Sequence, residues 1–298
     1  MRPVHVFLNE RSGGAVTAAA IEALFEQHGC ACAVTLLRPK MDVGAAVRTV
    51  DAGTVVVAAG GDGTVNCVAA GALVSGAAMA VLPVGTLNHF AKDLGMPPSV
   101  AAAVAVIAAG HCAAVDAGQV NGRVFVNNSS LGFYPAMVTQ RERLRQVGLN
   151  KWLSMTFVSL REFFRFRHIT VRVCVDGVER TVRTPFFFVG NNGYTMHGPQ
   201  MGRRKRLDGG RLYVYMAPGL TRWGLLRMTV GALRGRVREA PEFEMLCVTD
   251  LSVAFRRKTA WVSLDGEVRR MRGPLEYRIR PAALTVCVPA PAVATSCA

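Results

Sequence analysis

The chain of 298 residues is 51% hydrophobic, carries a formal net charge of +15 and contains eight cysteines and six histidines. That length suits about two domains with a sizeable core. Scattered cysteines with no C-x-x-C pair, and dispersed histidines, speak against a disulfide scaffold and a zinc site. No apolar run reaches the roughly 18 residues that span a bilayer, and no basic stretch followed by an apolar one opens the chain as a secretion signal would.

Strand and helix patterns alternate first. Val4 to Leu8 reads as a strand, Ser12-Gly13-Gly14 as a turn and Ala15 to Gln27 as a helix. Ala33 to Leu37 is a second strand, Val43 to Val50 a short helix and Thr54 to Ala59 a third strand. Val65 to Val74 is helical, Ala78 to Val84 a fourth strand, and Leu87 to Leu94 and Ser99 to Ala109 are helices. Alternation of this kind predicts an open parallel sheet covered on both faces. Beyond it, Asn121-Gly122, Asp176-Gly177 and Asp265-Gly266 each separate β-rich runs, as tight hairpin turns do. The second part therefore reads as antiparallel and β-sandwich-like, interrupted by helical stretches at Lys151 to Arg165 and Thr221 to Arg234. The expected domains are 1–120, an α/β nucleotide-binding domain, and 121–298, a β-rich domain whose C-terminal tail is expected back on the first. Their junction is the expected ligand cleft.

Charge follows the same division. Residues 1–120 hold 6 Lys/Arg against 8 Asp/Glu, and residues 121–298 hold 29 against 12, so net charge passes from −2 to +17. An excess of that size, nearly all arginine, points to an anionic partner, or to a well-solvated basic surface.

Three loops leave strand carboxyl ends in the first part: Asn9 to Gly14, Gly60 to Asn66 and Pro83 to Asn88. In a parallel sheet all three open on one edge, where helix N-termini and glycine turns bind phosphate. The middle loop, GGDGTVN, sets Asp62 among three glycines ahead of Thr64 and Asn66. Backbone N–H groups with one carboxylate suit a nucleoside triphosphate with Mg2+. There is no G-x-x-x-x-G-K-[ST], and Asn66 stands where a G-x-G-x-x-G fingerprint needs its third glycine, so P-loop and common dinucleotide folds are disfavoured.

GGDGTVN followed by VLPVGTLNHFAKDLGMP (Val81 to Pro97) resembles the diacylglycerol kinase catalytic-domain family, which includes bacterial diacylglycerol kinases and sphingosine and ceramide kinases. VFLNERSGG (Val6 to Gly14), FVNNSSLGF (Phe125 to Phe133), LDGGRL (Leu207 to Leu212) and SLDGE (Ser263 to Glu267) extend the resemblance in family order. It implies transfer of the γ-phosphate of ATP to a lipid hydroxyl in a cleft between the domains. It assigns ATP contacts to Asn9, Ser12, Gly13, Thr35, Gly60, Gly61, Asp62, Gly63, Thr64, Asn66 and Thr86. Asp62 would organise Mg2+, and Glu267 would be the general base. A structural Mg2+ would sit at Asp208, with Lys205 and Gly210 as backbone ligands. Outside the resemblance, Asp265-Gly266 and Asp208-Gly209-Gly210 are ordinary turn sequences and Glu267 a solvated neighbour, Asp116 reads as a nucleotide contact or a structural hydrogen bond, and His89 as a capping, packing or phosphate-facing residue. The chain departs from the family pattern at Glu10 (usually proline), Cys67 (often glutamate), Leu87 (glycine) and His89 (frequently aspartate).

A lipid kinase without a spanning helix docks on its membrane. Leu149 to Arg167 and Thr221 to Arg238 combine aromatics with arginine, as interfacial helices do, and Arg203-Arg204-Lys205-Arg206 adds charge. The expected partners are an anionic membrane surface and a lipid acceptor, at the inner face of the membrane from the cytoplasm, with no nucleic acid and with a homodimer left open. No helix-turn-helix, zinc finger or ribonucleoprotein motif is present to bind nucleic acid. A sphingoid or ceramide kinase, a soluble-metabolite kinase related to NAD kinase, and a nucleotide-binding regulator stand as alternatives.

Overall fold

A computed structural model describes residues 2–12, 16–132, 168–195, 202–221, 223, 224, 227 and 243–290. Gly13, the helical stretch expected from Lys151 to Arg165 and most of that from Thr221 to Arg234 lie outside the described residues. The chain divides into two units, Met1–Val115 with Ala282–Ala298, and Asp116–Pro281. The division falls ahead of the boundary expected near residue 120, and the C-terminal residues group with the first unit.

The first unit is built on parallel strands β1 (Val4–Leu8), β2 (Cys32–Leu36), β3 (Val55–Ala59) and β4 (Met79–Leu82), in the order β2-β1-β3-β4. Every residue of β3 is buried, as a central strand covered on both faces requires. The register sets Phe7 opposite Thr35 and Leu8 opposite Ala59, so the strands end level and their following loops emerge together. Helices cover the sheet: α1 (Ala18–Gln27), α2 (Val43–Arg48), α3 (Asp62–Ser75), α4 (His89–Asp93) and α5 (Val100–Ala109). Thr17 caps α1 by accepting from the Ala20 N–H at 3.3 Å, and Asp42 caps α2 by accepting from Ala45 at 2.9 Å. Helix α3 starts at Asp62, not at Val65 as the apolar spacing predicts, so Asp62, Gly63 and Thr64 form its first turn.

The second unit begins within β5 (Cys112–Val120), which pairs with β6 (Arg123–Phe125) through the Asn121-Gly122 turn. One antiparallel sheet joins β8 (Ile169–Val175), β9 (Val178–Thr184), β13 (Asp250–Phe255) and the start of β16 (Leu275–Cys287). The other runs β12-β11-β10-β7-β14-β15 and comprises β7 (Asn128–Gly132), β10 (Phe186–Asn191), β11 (Leu212–Met216), β12 (Glu244–Val248), β14 (Thr259–Leu264) and β15 (Glu267–Arg272). Their inner residues, among them Val173, Val253 and Leu275 from one sheet and Phe187, Val214 and Val262 from the other, form one core. This is the expected antiparallel sandwich. Asp176-Gly177 and Asp265-Gly266 turn the hairpins β8–β9 and β14–β15 with positive φ at both residues, as such two-residue turns demand. The end of β16 runs parallel to β4 in the first unit, with Val286 opposite Met79.

No helix among the described residues is long and apolar enough to cross a membrane.

Candidate functional site

In the first unit, three of the expected loops converge. The chain leaves β1 through a 3-10 turn, Glu10–Ser12. Ser12 Oγ accepts from the Gly61 N–H at 3.2 Å, and Asn9 Nδ2 donates to Thr64 Oγ1 at 3.4 Å. A Cβ on Gly60 would run into the Thr64 side chain. A Cβ on Gly85, in the loop after β4, would stand 2.9 Å from the Gly60 carbonyl and 2.7 Å from Asn88 Oδ1. These two glycines exist for close packing. Gly61 does not: a Cβ there meets nothing within 4 Å, and its φ of −79° and ψ of −179° suit any residue. It is the N-cap of α3, with no side chain capping the helix.

Asp62 lies in that first helical turn. The backbone N–H groups of His89 and Phe90 bond its carboxylate and so tie α3 to the start of α4. Its Oδ1 is nevertheless buried without a hydrogen-bond partner. Burial raises the carboxyl above its ordinary range, partly opposed by the charges of His89 and Lys92 and by those two N–H bonds. A buried carboxylate oxygen with no partner is unfavourable on its own and is satisfied by a proton or a cation. A divalent ion therefore fits here, and the uncapped helix end suits an anion beside it.

Asn9, Ser12, Gly60, Gly61, Asp62, Gly63 and Thr64 thus share one neighbourhood, with Asn66 one turn along α3. Thr86 is exposed in the loop after β4, one residue beyond Gly85. Thr35 has a different setting. Its Oγ1 bonds His5 Nε2 at 2.8 Å, and both line a cavity of about 560 Å³ with Phe7, Met41 and Thr49. The His5 ring stacks on Phe7 at 4.7 Å, and burial lowers its pKa.

The second unit carries a buried polar network that sequence reasoning missed. Asp265, 5% exposed, accepts three backbone N–H bonds, from Val126 at 2.7 Å and from Asn127 and Asn128 at 2.8 Å. Arg204 is equally buried: Nη1 donates to the carbonyls of Val126 and Asn191, and Nη2 to Asn127 Oδ1 at 2.7 Å. Asp116 Oδ2 accepts from the Gly210 N–H at 2.6 Å and from Asn192 Nδ2 at 3.0 Å. The cue was the density of Asn and Asp around these turns, but only the fold shows which of them meet.

Glu267 opens β15 directly after the Asp265-Gly266 turn, half exposed, with Oε2 2.8 Å from Arg269 Nη2. The anchored aspartate fixes the turn and hence the place of Glu267. The structural metal is expected at Lys205, Asp208 and Gly210. The Asp208 carboxylate is exposed, held by Arg206 Nε at 3.0 Å and lowered in pKa by that bond, while the Gly210 N–H is given to Asp116. Among the described residues no three His, Cys, Asp or Glu converge as metal ligands. The basic run at 203–206 is likewise divided, since Arg204 is buried and Arg206 serves Asp208.

The Diacylglycerol kinase catalytic domain matches residues 3–120, and the YegS C-terminal NAD kinase beta sandwich-like domain matches residues 133–288. The "Probable lipid kinase YegS-like" protein of Enterobacter sp. (strain 638) is 42% identical over 83 residues, 26% of this chain and 28% of that protein. The diacylglycerol kinase of Staphylococcus saprophyticus is 39% identical over 80 residues, 26% of each chain. The matched stretch thus spans about a quarter of the curated relatives' length. In fold, the chain is similar to the crystal structure of a diacylglycerol kinase from Bacillus anthracis str. Sterne, with a TM-score of 0.67 at 16% identity over 98% of both chains.

Proposed function

The chain belongs to the family that joins a diacylglycerol kinase catalytic domain to a YegS C-terminal NAD kinase beta sandwich-like domain, and from that premise we propose that it is an ATP-dependent kinase of a lipid hydroxyl. The observation that carries this reading is Asp62, a buried carboxylate with one unpartnered oxygen at an uncapped helix start. Phosphoryl transfer asks little covalent chemistry of a protein and much charge neutralisation and positioning. In this reading the N–H groups of Asp62 and Gly63 in the first turn of α3 face the phosphates, while Ser12, which accepts from the Gly61 N–H, and Asn9 hold that turn in place. Asp62, with its unpartnered oxygen, would hold Mg2+, and the ion would offset the charge of the phosphates. Glu267 accepts the proton of the acceptor alcohol, which is too weak a nucleophile while protonated. Its partner Arg269 orients that carboxylate.

The acceptor we favour is diacylglycerol or a lipid of similar head region, on the strength of what the relatives are named. The test is radiolabelled ATP with diacylglycerol, sphingosine, ceramide and polyprenol as acceptors. Wild type labels one of these lipids, while Asp62→Asn and Glu267→Gln do not. Absence of lipid labelling by wild type, or full labelling by Glu267→Gln, overturns the reading.

A further inference from the structure

Hairpin β14–β15 ends the second sheet, and its side chains alternate between the core and the outside. Ala260, Val262 and Leu264 lie on the core side. Thr259 and Trp261 lie on the outer side, and the register sets Arg272 opposite Thr259 and Arg270 opposite Trp261. Trp261 is 61% exposed, among the few large apolar side chains so placed. Arg270 and Arg272 are exposed too, as are Arg256, Arg257 and Lys258 in the loop that enters β14. The nearest carboxylate along the hairpin, Glu267, is taken by Arg269. Arg270 Nε donates to Thr259 Oγ1 at 2.9 Å, which ties its guanidinium to the outer face of the hairpin.

Arginine on an edge strand has an ordinary use, because charge prevents unwanted pairing with another sheet. That use does not call for a tryptophan in the middle of the charges. An exposed indole with two arginines on its face of the hairpin and three exposed basic residues in the loop before it has the chemistry of a bilayer interface, where the ring sits at headgroup level and the cations meet anionic lipid. Nucleic acid would also attract the charge, but base stacking generally draws on several aromatic platforms, and among the described residues this face presents one.

We propose that the outer face of β14–β15, centred on Trp261 with Arg270, Arg272 and the Arg256-Arg257-Lys258 loop, is a docking surface for an anionic lipid bilayer. The inference deepens the lipid-kinase reading and rests on it for its biological purpose, though the binding can be measured without any phosphoryl transfer. It also relocates docking from the basic run at 203–206, of which Arg204 is buried.

The experiment is co-sedimentation of the full chain with vesicles of phosphatidylcholine alone and of phosphatidylcholine with phosphatidylglycerol. Wild type binds the anionic vesicles and releases with salt. Arg270→Gln/Arg272→Gln lowers the vesicle partition constant about 25-fold, at roughly fivefold per charge near an anionic surface. Trp261→Ala lowers it on both kinds of vesicle. Thermal unfolding and labelling of a short-chain, water-dispersed acceptor stay at wild-type levels, which separates loss of docking from loss of fold or chemistry. With Trp152→Phe/Trp223→Phe as background, brominated lipid quenches the remaining indole, Trp261. Wild-type binding by the variants, no quenching of Trp261, or equal salt-sensitive binding of RNA lost in the same variants, each overturns the proposal. Failure of every lipid to accept phosphate while docking persists removes the kinase reading alone.

Discussion

Two turns in this molecule pair aspartate with glycine, and they treat the carboxylate in opposite ways. At Gly60-Gly61-Asp62 the aspartate enters a helix, and one of its buried oxygens has no partner. At Asp265-Gly266 the aspartate is buried more deeply and accepts three backbone N–H bonds, while Glu267, two residues on, is half exposed and paired with Arg269. Similar composition thus yields a ligand-ready carboxylate in one place and a structural one in the other. The difference lies in which backbone groups come near. A strand crossing at 126–128 brings N–H groups to Asp265 from residues nearly 140 positions away in sequence. Asp62 receives only the two N–H groups at the start of α4.

Removing each carboxylate in turn is the strongest way to break this contrast. Asp265→Ala strands three buried N–H groups and lowers stability by about 3–5 kcal/mol, read as a lower denaturant midpoint, and phosphotransfer falls with it because Glu267 loses its fixed place. Asp62→Asn lowers phosphotransfer about 10²–10³-fold, as loss of a charge-stabilising group does, and leaves the fold intact. Its stability has a calculable sign. Burial raises the Asp62 pKa in the folded state, so this group's contribution is greatest below the ordinary carboxylate range and falls as pH rises through the raised value. Asp62→Asn therefore unfolds at a higher temperature than wild type at neutral pH, and the gain vanishes at acidic pH. Mg2+ narrows the gap by stabilising wild type and not the variant. A variant that melts lower at neutral pH would show that the carboxylate is well satisfied in solution, and the contrast would fail.

The glycines of the two turns sharpen it by a smaller effect. Gly266 has a φ of 88°, whereas Gly61 sits in extended backbone with open space where a Cβ would go. Gly266→Ala should cost about 1 kcal/mol of stability, since alanine resists that conformation. Gly61→Ala should leave the melting temperature unchanged and raise the KM for ATP about tenfold, a loss on the order of 1.4 kcal/mol. An unchanged KM would mean that the open side of Gly61 faces only water.

Much of this was legible beforehand because it rests on local patterns. Alternating apolar runs gave the parallel sheet, and three Asx-Gly pairs gave the hairpins, because each signal is carried by residues adjacent in sequence. Three features were not legible. The start of α3 falls at Asp62, since glycine and aspartate read as a turn until the loop after β4 supplies their neighbours. Arg204 reads as surface charge, but the carbonyls that bury it come from residues 126 and 191. The pairing of Asp208 with Arg206 is a contact two residues away whose geometry composition does not reveal.

The smallest effect bears on the reasoning that singles out Asp62. Ser130 and Ser263 stand opposite each other on β7 and β14, and their hydroxyls are buried without partners, as Asp62 Oδ1 is. A neutral hydroxyl in that state costs about 1 kcal/mol relative to an apolar group of similar size. Ser263→Ala should therefore stabilise the fold by roughly that amount, with Ser130→Ala similar and the pair less than additive because they touch one space. The same logic predicts the gain for Asp62→Asn, but the reasons differ. A serine without a partner can persist as a small unfavourable term, while a buried carboxylate must take up a proton or a cation. If Ser263→Ala is destabilising, its hydroxyl has a partner in solution, and absence of a hydrogen bond would no longer distinguish Asp62 from Asp265. The distinction would then rest on charge alone, to be decided by whether Mg2+ raises the melting temperature of wild type and not of Asp62→Asn.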